Sequence, residues 1–184
     1  MNRGRRGEVV FPEHEDYQYF IELLKDAAET WHFRVAAYCL MSNHYHLLVQ
    51  TPEANLSRCM RHINGLYTQR YNRRYHGDGQ LFRGRYKSIL VDADCYLLEL
   101  VKYIHRNPVR AGIADCPEAY VWSSHKGYLT EREPWRWLYR DFIMSMLTKN
   151  KQQGKKAYAE LMQQEESAGV LDFFCKEQNA GNFR

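Results

Sequence analysis

The sequence predicts an α+β fold in which a β-hairpin lies between amphipathic helices. Apolar residues recur at spacings of three and four through residues 13–31, which is typical of a helix with one buried face. Two apolar runs then follow with only Ser42 and Asn43 between them, as in a hairpin of two strands. The predicted elements are, in chain order, a helix over 13–31, strands over 33–41 and 44–51, a helix over about 56–75, a short strand over 88–91, a third long helix that ends near 107, and two further helices over 137–147 and 155–164.

Length and composition narrow the class of protein. The chain has 184 residues, of which 45% are hydrophobic and 14% aromatic, so it is long enough for one domain with a real core. No apolar run approaches the roughly 18 residues that a membrane-spanning helix needs, and the basic start lacks the apolar segment of a secretory signal. The five cysteines form no C-x-x-C pair, which favours reduced thiols over a disulfide framework. We therefore expect a cytoplasmic protein that has no membrane partner.

The second strand of the hairpin carries two histidines one residue apart, His44 and His46. Successive side chains of a strand alternate between its faces, so the two imidazoles project from the same face and could bind one ion together. The alternative is that one histidine lies at the surface and the other is hydrogen-bonded in the core. A third ligand is needed to decide between these interpretations.

The third long helix offers such a ligand. It should end at Asn107, because the residue before a proline is pushed out of helical geometry. Tyr103 lies four residues earlier, so the two side chains share one helix face. If this helix packs beneath the sheet, the site contains two imidazoles and one amide oxygen, which suits Mg²⁺ or Mn²⁺ held together with a phosphate. The alternative is an ordinary helix surface, on which a tyrosine and an asparagine at this spacing are common.

Positive charge is concentrated in one part of the chain. Net charge is only +4, but between Arg58 and Lys87 eight arginine and lysine residues accompany a single acid, Asp78. Aromatic residues are interleaved with these cations, a pattern typical of proteins that bind single-stranded nucleic acid. The alternative is a solvated helix face whose aromatic side chains turn inward. The candidate nucleic-acid-binding residues are Arg70, Arg73, Arg74, Arg83, Arg85 and Lys87.

Four motifs, in this order and spacing, resemble those of the REP-associated tyrosine transposases, within the wider group of HUH single-strand DNA transposases. They are YCLMSNHYHLL at 38–48, NGLYTQRYN at 64–72, LFRGRYK at 81–87 and YIHRNPVRAG at 103–112. The similarity extends over about residues 3–128. It implies a ferredoxin-like antiparallel sheet with helices packed on it, in a catalytic domain over 1–128 that is followed by a helical extension and tail over 129–184.

The resemblance also implies a reaction and its residues. His44, His46 and Asn107 would bind a divalent metal, Mg²⁺ or Mn²⁺, and Tyr103 would be the catalytic nucleophile. The implied activity is metal-dependent cleavage and rejoining of single-stranded or hairpin DNA through a 5′-phosphotyrosine intermediate. Relatives of this type suggest a monomer, and a dimer is left open.

The start of the chain departs from the family's pattern. Relatives have a strand before the Arg3-Gly4 pair, so we expect the first strand to be absent here or reduced to residues 8–10. That strand is central in a ferredoxin-like sheet, and its loss would leave unpaired backbone groups unless another segment supplies the strand. An alternative function is therefore a catalytically inactive remnant of the same fold that still binds single-stranded nucleic acid. A third possibility is an unrelated metal-dependent hydrolase that uses activated water.

Overall fold

The computed structural model describes residues 1–91 and 94–164 as an α+β protein, as the sequence predicts. The hairpin and the three long helices form where the spacing of apolar residues predicts them. The elements are β1 (Asn2–Arg3), α1 (His14–Trp31), β2 (Arg34–Met41), β3 (His44–Gln50), α2 (Leu56–Tyr75), α3 (Asp94–Arg110), α4 (His125–Leu129), α5 (Asp141–Leu147) and α6 (Gly154–Gln163).

The three strands form an antiparallel sheet in the order β1-β3-β2. Residues 81–87 run antiparallel along the outer side of β1, where Arg83 N donates to Arg3 O at 2.9 Å and Lys87 N donates to Met1 O at 2.9 Å. Helix α1 crosses from β1 to β2 while β3 lies between them, which is the split βαβ arrangement of the ferredoxin-like fold. The predicted fold class is therefore confirmed.

The first strand was predicted to be absent or reduced to residues 8–10, and this prediction was wrong. The structure places β1 at Asn2–Arg3, between β3 and residues 81–87, and residues 8–10 form no strand. Val10 and Phe11 are instead buried in the core and donate their backbone N–H groups to Ser42 O at 2.7 and 3.0 Å. These residues belong to a loop that packs over the hairpin turn. A run of only three residues does not show whether its apolar side chains belong to a strand or to a buried loop.

The predicted short strand over 88–91 is also wrong. Its residues form no ladder, and Leu90 is 91% exposed. The backbone partner of β1 comes earlier, from the basic residues 81–87. A short apolar run is consistent with a strand, but among the described residues no helix or strand covers the side chain of Leu90.

Helices cover both faces of the sheet. Tyr45 of β3 points to the α1 and α2 side, where its ring lies 4.8 Å from Phe20 and 5.9 Å from Phe82 between centroids. The opposite face packs against α3, with Val101 and Ile104 buried there. His44 and His46 flank Tyr45 in β3, so strand alternation directs them to the α3 face.

The C-terminal part of the described chain contains the helices α5 and α6, and α5 begins at Asp141 instead of at the predicted residue 137. Helices α5 and α6 pack on each other, and both contact α3. Ile143, Tyr158 and Met162 of these helices enter the same core cluster as Val101. The predicted tail beyond residue 164 lies outside the described residues, and the division of the chain at residue 128 stays a prediction.

A buried polar network joins α3, α4 and α6. His105 Nε2 lies 2.7 Å from Ser124 Oγ, and His105 Nδ1 lies 2.8 Å from the Tyr158 hydroxyl. The same hydroxyl lies 2.6 Å from His125 Nδ1, and His125 Nε2 lies 3.1 Å from Glu118 Oε1. His105 is completely buried, so these bonds replace the water that its ring nitrogens lose on folding. Because Ser124 Oγ also accepts from Tyr38 N at 2.8 Å, the network links α3 to the β2 edge of the sheet.

These buried histidines predict that acid destabilises the protein. Burial is the main cause that lowers the pKa of His105 well below 6.5, and burial also lowers the pKa of His125. An unfolded histidine titrates near 6.5, so the unfolded state binds more protons below that pH and folding stability falls. Between pH 7.5 and 5.5 we expect His105 alone to contribute a loss of about 1 kcal/mol, measurable by urea unfolding, and the other histidines with lowered pKa values, His125, His44 and His46, to add to it. A free energy of unfolding that stays constant or rises over this interval contradicts the assignment, and His105→Gln should reduce the pH dependence.

Gly4 allows the N-terminal loop to pack tightly beside the sheet. A Cβ at this position would lie 2.2 Å from the carbonyl oxygen of Glu8 and 2.9 Å from Val10 Cγ2. We therefore expect Gly4→Ala to lower the free energy of unfolding by about 2 kcal/mol in urea denaturation. Gly65→Ala is the matched control, because Gly65 lies inside α2 and a Cβ there would meet no neighbouring atom within 4 Å. That change should stabilise the protein by about 0.5–1 kcal/mol. Equal effects of the two substitutions would refute the close approach at Gly4.

Candidate functional site

His44 and His46 stand side by side on the α3 face of β3. Their ring centroids are 5.0 Å apart and the ring planes are nearly perpendicular. His46 is 5% exposed, whereas His44 is half-buried at the start of the strand. The pair therefore lies at the start of the central strand, where the buried core meets the more open end of the sheet at the hairpin turn.

Helix α3 brings Asn107 and Tyr103 to these histidines. Asn107 Nδ2 lies 3.3 Å from His46 Nε2. Asn107 is also close enough to His44 to raise the pKa of that imidazole against the larger effect of burial. The ring of Tyr103 meets the ring of His46 edge to face, with centroids 5.7 Å apart. The structure thus brings together all four residues that the sequence analysis selected for metal binding and catalysis.

Asn107 lies within α3, whereas the sequence predicted that the helix would end there. The helix continues to Arg110 with Pro108 inside it, and Ala111 N donates to Asn107 O at 3.0 Å. The bias of a residue before proline is weak, and here it is outweighed by packing on both faces of the helix. Because the helix is continuous, the side chains of Asn107 and Tyr103 keep their spacing of one turn.

Both imidazoles are neutral at pH 7. Burial, helped by the positive charge of Arg3, lowers the pKa of His44 to about 4. Burial and the neighbouring His44 lower the pKa of His46 well below its usual range. Since a metal ion binds the neutral imidazole, neither histidine has to lose a proton near pH 7 before it can act as a ligand.

The donor set fits a divalent metal that accepts mixed ligands. An amide nitrogen only donates, so Nε2 of His46 accepts from Asn107 and its lone pair points towards that side chain. Rotation of the amide about its last bond would present Oδ1 in place of Nδ2. Among the side chains that the structure describes, no cluster of three or more His, Cys, Asp and Glu could hold a metal, so a third protein donor at this histidine pair would come from the amide.

Two cations beside the site were missed by sequence reasoning. Arg110 stacks over the Tyr103 ring, with its guanidinium carbon 4.4 Å from the ring centroid. It lies seven residues after Tyr103 and three after Asn107, so helical spacing alone would have placed it on the same face. Arg3 pairs with His44 across the sheet, and this contact depends on a strand whose position the sequence did not reveal.

The six predicted nucleic-acid-binding residues separate into two groups. Phe82 contacts Tyr45 on the α1 and α2 side, so alternation directs the neighbouring Arg83 to the histidine face, where Arg3 also lies. Arg83, Arg85 and Lys87 are exposed along this edge.

The other three lie on α2, which covers the opposite face of the sheet. Arg70 stacks over Tyr19 with its guanidinium carbon 4.3 Å from the ring centroid, and Arg74 NH2 lies 3.1 Å from Glu15 Oε2. Arg73 is exposed on the same helix. These contacts match the alternative that a basic helix face is solvated and pairs with its neighbours, and they leave Arg73 open to solvent.

Comparison with known proteins places the fold and these motifs in a family. The family model described as transposase IS200 like matches residues 4–107, which include both histidines, Tyr103 and Asn107. A Haemophilus influenzae protein assigned as a REP-associated tyrosine transposase is 25% identical over 130 residues, covering 64% of this chain and 74% of the relative. The solved structure of a REP-associated tyrosine transposase bound to a REP hairpin superposes with a TM-score of 0.58 and 16% identity, covering 71% of this chain and 76% of that one.

Within the described part of the chain, none of the helices combines the length and apolar character needed to cross a bilayer.

The family model covers more than half of the chain, and the relatives agree with the resemblance seen in the sequence motifs. The chain belongs to the IS200-like transposase family.

Proposed function

We propose that this protein cleaves and rejoins single-stranded DNA by transesterification, with Tyr103 as the nucleophile and a divalent metal held by His44, His46 and Asn107. The observation that carries the proposal is the convergence of these side chains from two distant segments. Asn107 Nδ2 lies 3.3 Å from His46 Nε2, and the Tyr103 ring packs against the same imidazole. Helix α3 could pack on β3 through apolar side chains alone, so the meeting of these polar and aromatic groups points to a site.

The reaction breaks one phosphodiester bond and forms another. The Tyr103 oxygen attacks the phosphorus, the bond to O3′ breaks, the phenol proton passes to water and the leaving O3′ takes up a proton. The product is a 5′-phosphotyrosine and a free 3′-OH, and attack by a second 3′-OH reverses the step without ATP. When bound, Mg²⁺ or Mn²⁺ would offset the negative charge that develops on the scissile phosphate.

The chain's own residues position the reactants. Burial keeps both imidazoles neutral, and α3 holds Tyr103 one turn from Asn107. Arg110 stacks on the Tyr103 ring and restricts its orientation. The network around His105 joins α3 to Tyr158 of α6 and, through Ser124, to the backbone of β2, so the helix that carries Tyr103 is held by several elements.

We assign the DNA path next to this pocket to the exposed cations of the β1 edge. Arg83, Arg85 and Lys87 follow this edge, and Arg3 adds a fourth charge beside His44. Cations in a row neutralise successive phosphates of a single strand. Arg70, Arg73 and Arg74 lie on the opposite face, so we assign them a separate contact with the hairpin stem, away from the scissile strand. A hairpin substrate is supported by the related transposase that was solved with a REP hairpin. We place the protein in the cytoplasm, where it would meet such DNA.

A labelled oligonucleotide tests the proposal. The probe is a DNA hairpin with randomised single-stranded flanks, incubated with the protein and Mn²⁺ and then resolved under denaturing conditions. We expect a protein–DNA adduct that retains a 3′-end label and loses a 5′-end label, because the protein stays attached to the 5′ phosphate of the downstream fragment. Cleaved DNA without an adduct would instead indicate hydrolysis by water. Hairpin binding without cleavage would indicate the inactive binding protein.

A further inference from the structure

We propose that Asn43 is a positioning residue that fixes the tautomer of His44 and so leaves Nε2 of that imidazole ready to bind a metal ion. The tautomer follows from the hydrogen bonds of the hairpin turn. Its use for metal binding rests on the proposed function, in which His44 is a ligand. No motif in the sequence assigns a role to Asn43 beyond a place in the turn.

Two contacts determine which way the Asn43 amide points. Asn43 Oδ1 lies 2.6 Å from His44 Nδ1, and Asn43 Nδ2 lies 3.4 Å from the carbonyl oxygen of Gly7. A carbonyl oxygen only accepts, so the amide nitrogen has to face Gly7 and Oδ1 has to face His44. Because Oδ1 also only accepts, the hydrogen of the neutral imidazole has to be on Nδ1.

The remaining ring nitrogen is then a lone-pair donor. Asn43 occupies Nδ1 of His44 at 2.6 Å, so the ring nitrogen that carries no proton in the neutral imidazole is Nε2. In the opposite tautomer this position would carry an N–H, which cannot bind a cation. Metal-binding histidines usually have their second ring nitrogen fixed by a partner of this kind.

The loop before α1 holds Asn43 in place. Gly4 N donates to Asn43 O at 2.8 Å, and Val10 N donates to the adjacent Ser42 O at 2.7 Å. Gly7 has a φ of +78°, a left-handed conformation that glycine adopts at little cost. The acceptor that orients the amide is thus built into the loop, and His44 needs no rearrangement to present its lone pair.

The first test measures the tautomer without any metal. In ¹⁵N-labelled metal-free protein at pH 7, we expect the His44 ring nitrogen shifts to show the proton on Nδ1. Asn43→Ala should move the equilibrium towards the Nε2–H form, while Asn43→Asp, which keeps an acceptor, should preserve the Nδ1–H form. A wild-type His44 in the Nε2–H form, or an unchanged tautomer in Asn43→Ala, would overturn the proposal.

The second test measures metal affinity. We expect Asn43→Ala to weaken Mn²⁺ binding by about 10–100-fold in a titration followed by EPR, and Asn43→Asp to bind at least as tightly as the wild type. Asn64→Ala is the matched control, because Asn64 accepts from the Tyr45 hydroxyl on the other face of the same strand. It should leave both the His44 tautomer and the Mn²⁺ affinity unchanged, and thermal unfolding of each variant checks the fold.

The two tests separate failure of this inference from failure of the proposed function. Unchanged Mn²⁺ affinity in Asn43→Ala would overturn the positioning role while the metal site stands. A wild-type protein that binds no Mn²⁺ would overturn the metal site, and the ring nitrogen shifts would still decide whether Asn43 sets the tautomer.

Discussion

Tyr103→Phe is expected to abolish the covalent protein–DNA adduct while DNA binding stays within about twofold of the wild type. The substitution removes only the hydroxyl oxygen that would attack the phosphorus, and the ring keeps its contacts with His46 and Arg110. A phenylalanine ring cannot form a phosphoester, so no partial activity should remain. Denaturing gels with the 3′-labelled hairpin measure the adduct, and gel shifts measure binding.

Tyr96→Phe is the matched control for this experiment. Tyr96 lies in the same helix two turns earlier, and it is 49% exposed. We expect its adduct yield to equal that of the wild type. An adduct that persisted in Tyr103→Phe, or disappeared only in Tyr96→Phe, would move the nucleophile to another residue.

The second large effect is expected from His46→Ala, which should weaken Mn²⁺ binding by at least about 100-fold. His46 is 5% exposed and holds the central place in the site, since it contacts both Asn107 and Tyr103. Removal of its imidazole leaves His44 and one amide, too few protein donors to hold the ion. Adduct formation should fall with metal occupancy, and EPR titration of Mn²⁺ measures the affinity directly.

His62→Ala controls for the general loss of a histidine. His62 is exposed on α2, where its ring lies 5.8 Å from Trp31 between centroids, on the other side of the sheet. We expect wild-type affinity and adduct yield. If His46→Ala kept full metal affinity, the ion would have to bind elsewhere in the chain, and the assignment of the histidine pair would be wrong.

The parts of the site that the sequence predicted are those set by local geometry. Strand alternation places His44 and His46 on one face of β3, and helical spacing places Tyr103 and Asn107 on one face of α3. Both relations hold inside a single element, so they do not depend on how the elements pack. The meeting of the two elements came from the family resemblance, and the structure brings them together at 3.3 Å.

The parts that the sequence did not reveal depend on long-range pairing. Arg3 reaches His44 only because β1 pairs with β3, and β1 consists of two residues without a periodic pattern. The division of the cations between the two faces follows from the pairing of residues 81–87 with β1, which spacing within the basic segment cannot show. A short stretch of sequence predicts the type of an element, whereas the segment that pairs with it is determined by the tertiary fold.

The most direct test of the account is pulsed EPR of Mn²⁺ bound to protein in which only the histidines carry ¹⁵N. The account predicts hyperfine couplings from two imidazole nitrogens in the wild type and from one in His44→Gln, with unchanged couplings in His62→Ala. Bound Mn²⁺ that showed no imidazole coupling would contradict the claim that this hairpin and α3 form one metal and phosphate pocket.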